Sequence, residues 1–359
     1  MEKAAKPLEH SYNNSRLIEN CTFVKTILML IVVLYHSIVF FGGMGWFSAI
    51  EPSTIIVPIK YFAKWLNSFH VYGFVLTSGY LYSYLRVEKG KYLKYGPFLM
   101  NKAKRLLVPY AFIALVWVIP VGQVFFHNSA MNIVQDYLLG TGPSQLWFLL
   151  MLFGVFAISW WFTNIIHNSV CSSILISCCF LVIGLIGSHF VQNYFMVWTA
   201  CLYLPFFIFG MKLRDMHERG VFLVLKTPLI ILLALADILL FVVQQHIVGK
   251  NRALFTIINI PVELSLHLLG AFVAFYALQS LAVRIQWKDS KQFMNLSRIS
   301  MIVYLLHQQL IYITIALFNG MCSAYLNMAI NFVVALLGSL LIATLLMSNR
   351  FTRFLVGEK

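Results

Sequence analysis

Charge is what this sequence has least of. Only 11% of its 359 residues are Asp, Glu, Lys or Arg, while 60% are hydrophobic. A water-soluble domain carries about 25% charged residues. Too few polar side chains are present to cover a water-facing surface, which excludes a soluble globular fold. Acidic residues are scarcer still, 12 against 26 Lys and Arg, for a formal net charge of +14. The six cysteines (Cys21, Cys171, Cys178, Cys179, Cys201 and Cys322) show no CxxC and no Cys/His metal spacing. Most fall in apolar runs, where cysteine behaves as a small apolar residue. The sequence therefore predicts no metal and no required disulfide. There is no GxGxxG and no Walker loop, so ATP-driven transport is unsupported. No GxSxG elbow, internal repeat or low-complexity tract is present either. A cleavable signal peptide is not visible: the first 20 residues are polar, and the run behind them has full span length without an A-x-A site.

What remains is hydrocarbon in long runs. A membrane span needs about 20 mostly apolar residues. Ten stretches qualify: 22–42, 63–85, 107–127, 145–163, 172–188, 195–212, 228–248, 263–283, 299–318 and 326–347. Backbone groups in lipid must satisfy one another, so these are read as helices. The fold class is all-α, a polytopic membrane protein of about ten transmembrane helices. One membrane-embedded domain is expected over 1–359, with tails at 1–21 and 348–359 and the bundle at 22–347. The longest hydrophilic segment, 86–106, reads as a basic loop. With the N-terminus in the cytoplasm, all Lys and Arg except Lys60, Lys64, Lys250 and Arg252 fall in the tails or in cytoplasmic loops. They include Lys3, Lys6, the run Arg86–Arg105, Arg298 and Lys359. The positive-inside rule then places both termini in the cytoplasm and favours an even helix count. The same distribution accounts for the high isoelectric point without nucleic acid. The basic loops suit anionic lipid or an anionic ligand.

Ionisable side chains inside the spans are expensive and are functional candidates by default. In "FVKTILMLIVVLYHSIVFF", Lys25 and His36 stand eleven residues apart. At 100° per residue they share one helix face, separated by about 16 Å along the axis. Lys25 sits at the cytoplasmic edge, where a snorkelling role is equally expected. His36 falls about 9 Å below the outer edge, and His70, on the second span, about 10 Å below it. Two histidines at matching depth suit one cavity, and histidine can take and return a proton near neutral pH. The bland alternative is a pair that holds two helices together. Glu263 and His267 form an i, i+4 pair that serves either a site or buried packing. Asp237 lies near mid-membrane with no partner to be named from sequence. His307 falls within a span, nearer its cytoplasmic half.

These pieces, taken in order, resemble the acyltransferase 3 family of integral-membrane acyltransferases. Its first span carries a basic residue, ten residues, then His; here Lys25 replaces the usual arginine and His36 follows. His70 with Ser78, Gly79 and Tyr80 resembles the second-span pattern. "FLMNKAKRLLVPY" resembles the basic entrance to the third span, with Lys102, Arg105 and Pro109, again with one lysine for arginine. Trp147 and Phe148, Gly210, and Tyr304 with His307 match later elements, so the resemblance runs from about 20 to 315.

The resemblance implies an enzyme of the minimal, single-domain type in the inner (plasma) membrane. It implies O-acetylation: an acetyl group leaves cytoplasmic acetyl-CoA for a hydroxyl of a cell-surface or exported glycan or glycolipid. No permanently bound cofactor is expected. The partners would be acetyl-CoA, the acceptor, the lipid bilayer, and a second copy of the chain should it form a homo-oligomer. Lys25, Lys102 and Arg105 would meet the CoA phosphates; His36 would be the base, assisted by His70. Glu263, His267, Ser78, Tyr80, Trp147 and His307 would be supporting residues, with Ser78 or Tyr80 as candidate oxyanion donors. The competing reading is a proton-coupled transporter or flippase, since intramembrane His, Asp and Glu also suit a proton relay. Against it stands the lack of inverted repeats.

Overall fold

The computed structural model describes residues 2–220, 225–247 and 252–358. Lys250 and Lys359 lie outside the described residues, as do the side chains of Lys3, Lys6 and Arg252. In chain order the helices are α1 (Glu2–Val39), α2 (Val57–Ser83), α3 (Tyr95–Ile113), α4 (Ile119–Phe126), the short α5 (Ala130–Ile133), α6 (Trp147–Asn168), α7 (Val170–Phe190), α8 (Val197–Glu218), α9 (Thr227–His246), α10 (Arg252–Ile285), α11 (Lys291–Phe318), α12 (Ala324–Ser348) and α13 (Arg350–Leu355). No strand is formed among the described residues. Local chemistry sets many of the starts. Pro58 and Pro228 occupy the first turns of α2 and α9, where a missing N–H costs nothing. Ser169, Ser290, Ser323 and Asn349 cap α7, α11, α12 and α13 by accepting from a backbone N–H two or three residues on.

Helix extends into both expected tails and into the expected loop. α1 is continuous from Glu2, and α13 forms a separate turn after the last span. The basic segment 86–106 is helical from Tyr95, because α3 carries its cations on the way into the bundle. α3 and α4 form one crossing, Tyr95–Phe126, broken by a π turn at Ala114–Val118. Pro120 opens α4 and can neither donate a backbone N–H nor tolerate the carbonyl four residues back, so the ladder widens there.

Among the described residues, nine helices are long and apolar enough to cross a membrane. α2, where the second span is expected, is not among them. Its Lys60, Lys64, Asn67 and His70 dilute its hydropathy, and it packs against α1, α8 and α10 in the interior of the bundle, so little of it has to face lipid. α1 and α11 are likewise central, each 61% buried over its most apolar window. α7, α9 and α12, at 11%, 17% and 22%, form the lipid-facing periphery. Without a hydrophobic drive between helices in lipid, close approach depends on small residues and interhelical hydrogen bonds. Gly79 of α2 lies against the Phe207 backbone of α8, and Gly210 of α8 against the Leu76 backbone of α2. Asn331 of α12 joins three helices: its amide donates to the Ser37 carbonyl (3.1 Å) and its oxygen accepts from Thr314 (2.6 Å).

The beginning of the first span and the segment after α13 meet the same end of the bundle. At that end Glu19 pairs with Lys288, and the Trp287 indole donates to Asn20 (3.1 Å). Gly357 packs against the Arg105 carbonyl with a left-handed backbone, φ +79°. At the opposite end the Ser53 amide donates to Asn319 (3.0 Å) and Lys64 donates to Gln245 (2.9 Å). An even number of crossings follows.

Candidate active site

One face of α1 builds one wall of a cavity of about 890 Å³. Lys25, Met29, Val32 and His36 line it at the helical spacing of four, three and four. α11 supplies a second wall with the same period: Ser297, Met301, Tyr304, Gln308 and Tyr312. α2 adds His70, Phe74 and Ser78, and α6 adds Trp147 and Phe148. Lys25, Lys102 and Arg105 all line the cavity and lie near one another at one end of it. His36 and His70 line it farther along.

The cationic end holds more than sequence reasoning found. Arg298 lies there too, and so does Glu358, carried in by the turn at Gly357. Burial pushes the Glu358 carboxyl above the ordinary glutamate range, with Arg105 and Arg298 pulling the other way. Lys102 is held by rings: its ammonium is 3.6 Å from the Phe156 centroid, 5.3 Å from that of Tyr92 and 5.6 Å from that of Phe98. These cation–π contacts fix the charge beside the cavity without neutralising it.

At His36 the chemistry is dense. Its Nδ1 lies 2.7 Å from Nε2 of His307, and His307 Nδ1 lies 2.7 Å from the Tyr304 carbonyl. The Trp46 ring, from the loop after α1, stacks on His36 at 5.1 Å and 19°. Tyr35 stands between the two cavity histidines, 5.0 Å from the His36 ring and 5.2 Å from that of His70. His70 makes no bond to His36; its Nδ1 donates to the Leu66 carbonyl (2.6 Å). The carbonyl can only accept, so His70 Nε2 is its acceptor.

Several sequence expectations need correction. His307, expected nearer the cytoplasmic half of its span, is level with His36 and bonded to it. Tyr80 does not face the cavity. Its hydroxyl is held by His217 (2.9 Å) and Arg214 (3.2 Å), and His217 reaches on to Tyr276 (2.5 Å). That places Tyr80 in a buried α2–α8–α10 network and removes it as an oxyanion donor. Glu263 and His267 are 3.6 Å apart, as the spacing predicts, but neither lines the cavity. His267 donates to the Ser68 carbonyl (2.7 Å) and stacks on Tyr72 (4.0 Å, 14°), so the pair ties α10 to α2. Asp237 also has a partner, the Trp65 indole at 3.1 Å. Ser78 and Trp147 do line the cavity. Sequence reasoning missed Trp46, Gln145, Arg298 and Glu358. The α11 residues carried a signal in their i, i+4, i+7 register; Trp46, in a loop, carried none.

The arrangement joins a positively charged mouth to an imidazole with a free acceptor nitrogen, through one continuous cavity. It suits an anionic reactant entering at one end and a proton-bearing nucleophile at the other. No curated protein and no solved structure matches the chain. The acyltransferase domain profile of the acyltransferase 3 type matches residues 19–348. That match takes in nearly every helix around the cavity, so the chain belongs to the acyltransferase 3 family and is a membrane acyltransferase.

Proposed function

We propose that the chain moves an acetyl group from acetyl-CoA, bound at the cationic mouth, to a hydroxyl of a surface or exported glycan reached at the opposite end. The observation that carries this reading is the single cavity with cations at one end and His36 farther along. Lys25, Lys102, Arg105 and Arg298 attract the phosphates of the donor. The thioester then extends toward His36, about 16 Å from Lys25 along α1. His36 Nε2 takes the acceptor hydroxyl proton as the oxygen attacks the thioester carbonyl. The carbon–sulfur bond breaks, and the proton passes to the departing thiolate, so an ester and free CoA leave with no net change in protons. His70 Nε2 is a second acceptor that orients the hydroxyl. Trp46 and Tyr312, whose rings lie 4.9 Å apart and inclined by 51°, give the far end an aromatic corner for a sugar ring to pack against. The cationic mouth faces the cytoplasm in this reading, in keeping with the excess of Lys and Arg at that end.

The test uses cells expressing the chain and cells lacking it, with acetyl-labelled acetyl-CoA supplied to the cytoplasmic face of their membranes. The expected result is base-labile label in the glycan or glycolipid fraction of the first only. Equal incorporation in both, or none in either, contradicts the reading.

A further inference from the structure

We propose that His307 is a positioning residue that locks His36 in the one neutral tautomer able to act as a base toward the cavity. The inference rests on the reading of His36 as the base. The argument begins at a carbonyl. The Tyr304 oxygen can only accept, so His307 Nδ1, at 2.7 Å, carries the proton. A neutral imidazole has one N–H, which leaves His307 Nε2 as a lone pair. That lone pair lies 2.7 Å from His36 Nδ1, which must therefore be the donor. The proton of His36 is then on Nδ1, and its Nε2 is an acceptor with no hydrogen-bond partner among the described residues.

The opposite assignment fails on physical grounds. A proton on His307 Nε2 of a neutral ring would turn a bare Nδ1 toward the Tyr304 oxygen, two acceptors at bonding distance. A doubly protonated His307 would be a cation with no exposed surface, and no carboxylate bonds to it among the described residues. Burying such a charge unpaired is costly.

The ring geometry agrees: the His36 and His307 centroids are 5.0 Å apart, the separation expected when the N–H···N contact lies along both ring planes, and the planes are inclined by 23°. Trp46 covers a face of His36, which limits its swing. The α11 turn that presents His307 is itself pinned. The Trp117 indole donates to the Leu306 carbonyl (3.2 Å), the Gln145 amide to the Leu305 carbonyl (2.9 Å), and the Tyr304 hydroxyl to the Gln145 carbonyl. When His36 takes a proton, His307 Nε2 accepts a charge-assisted bond from the new imidazolium. A neutral histidine backed by a carbonyl thus fills the orienting place that a carboxylate holds in hydrolase triads.

The experiment uses the full chain in lipid, labelled with ring-¹⁵N histidine. The His36 signals are identified by their loss in His36→Gln. In wild type the spectrum should show His36 protonated on Nδ1 and bare on Nε2. In His307→Phe, which keeps the ring and removes the acceptor, the Nδ1-protonated form should lose its dominance. His307→Phe should lower kcat by roughly 10²–10³-fold with KM for donor and acceptor little changed. His307→Gln can accept from His36 through Oε1 and donate to Tyr304 through Nε2, and should recover most of the loss. A wild-type His36 protonated on Nε2, or a tautomer unmoved by His307→Phe, overturns the proposal. So do His307→Phe and His307→Gln proteins of equal activity. Should the tautomer respond as expected while wild type transfers no acetyl group, the acyl-transfer reading fails and the lock stands.

Discussion

Substituting Gly79→Ala tests how α2 is held in the bundle. A Cβ at position 79 would fall on the carbonyl of Phe207, and its contact is backbone, which cannot swing aside as a side chain can. The reciprocal contact of Gly210 with Leu76 means that α8 has the same constraint in the other direction. The two helices must part by about 1 Å to restore ordinary separation, and a gap of that size forfeits a quarter to a half of each dispersion contact nearby. With some tens of atom pairs at about 0.1–0.2 kcal/mol each, the loss comes to about 2 kcal/mol. Overpacked sites cost a similar amount, about 1–3 kcal/mol. At about 2.1 cal/mol/K of unfolding entropy per residue, a chain of 359 residues should then melt about 3 °C lower as purified protein in detergent. Gly96→Ala is the control: nothing lies within 4 Å of a Cβ there, so the variant should melt at or slightly above wild type. A Gly79→Ala protein as stable as Gly96→Ala would show that the α2–α8 contact is not as close as described.

Three further outcomes are expected. Arg105→Ala should raise the KM for acetyl-CoA several-fold and leave kcat and the acceptor KM nearly unchanged, because charge met by a phosphate is uniform binding energy; steady-state kinetics in detergent or liposomes read this directly. Transfer by the wild type should be lost on acidification once His36 takes a proton, since a protonated imidazole cannot accept the hydroxyl proton; a rate that rises on the acid side would contradict the role of His36. In intact cells a membrane-impermeant thiol reagent should label a cysteine placed within 128–144 and leave one within 86–94 untouched, a reversed pattern meaning that the bundle is oriented the other way.

Much of the site was legible because helices repeat every 3.6 residues. The shared face of Lys25 and His36 follows from their spacing alone, and the cavity wall confirms it. The same arithmetic argues against Tyr80 once Ser78 is placed on the cavity: two residues apart is 200°, nearly the opposite side. His307 was misjudged because depth was counted from the end of an apolar run. Helices tilt, and their apolar windows do not mark a common plane, so residues at different counts become level. Glu263 and His267 pair as their spacing predicts, but an apolar helix such as α10 does not announce which face meets the bundle. Arg298 was counted as a loop cation because α11 begins at Lys291, eight residues before the apolar run does. Trp46 approaches His36 from a loop, where no periodicity places a side chain.

The most direct measurement is acetyl transfer by purified His36→Gln in proteoliposomes, with acetyl-CoA at the cationic end and the glycan acceptor at the other. Glutamine keeps a hydrogen-bonding side chain but cannot carry the proton. Replacing one polar residue by another in α1 leaves insertion intact, and a matching melting temperature and an unchanged affinity for acetyl-CoA would verify it. The rate should fall by about 10²–10⁴-fold. A His36→Gln protein that transfers acetyl at close to the wild-type rate would make the histidine structural and contradict the mechanism.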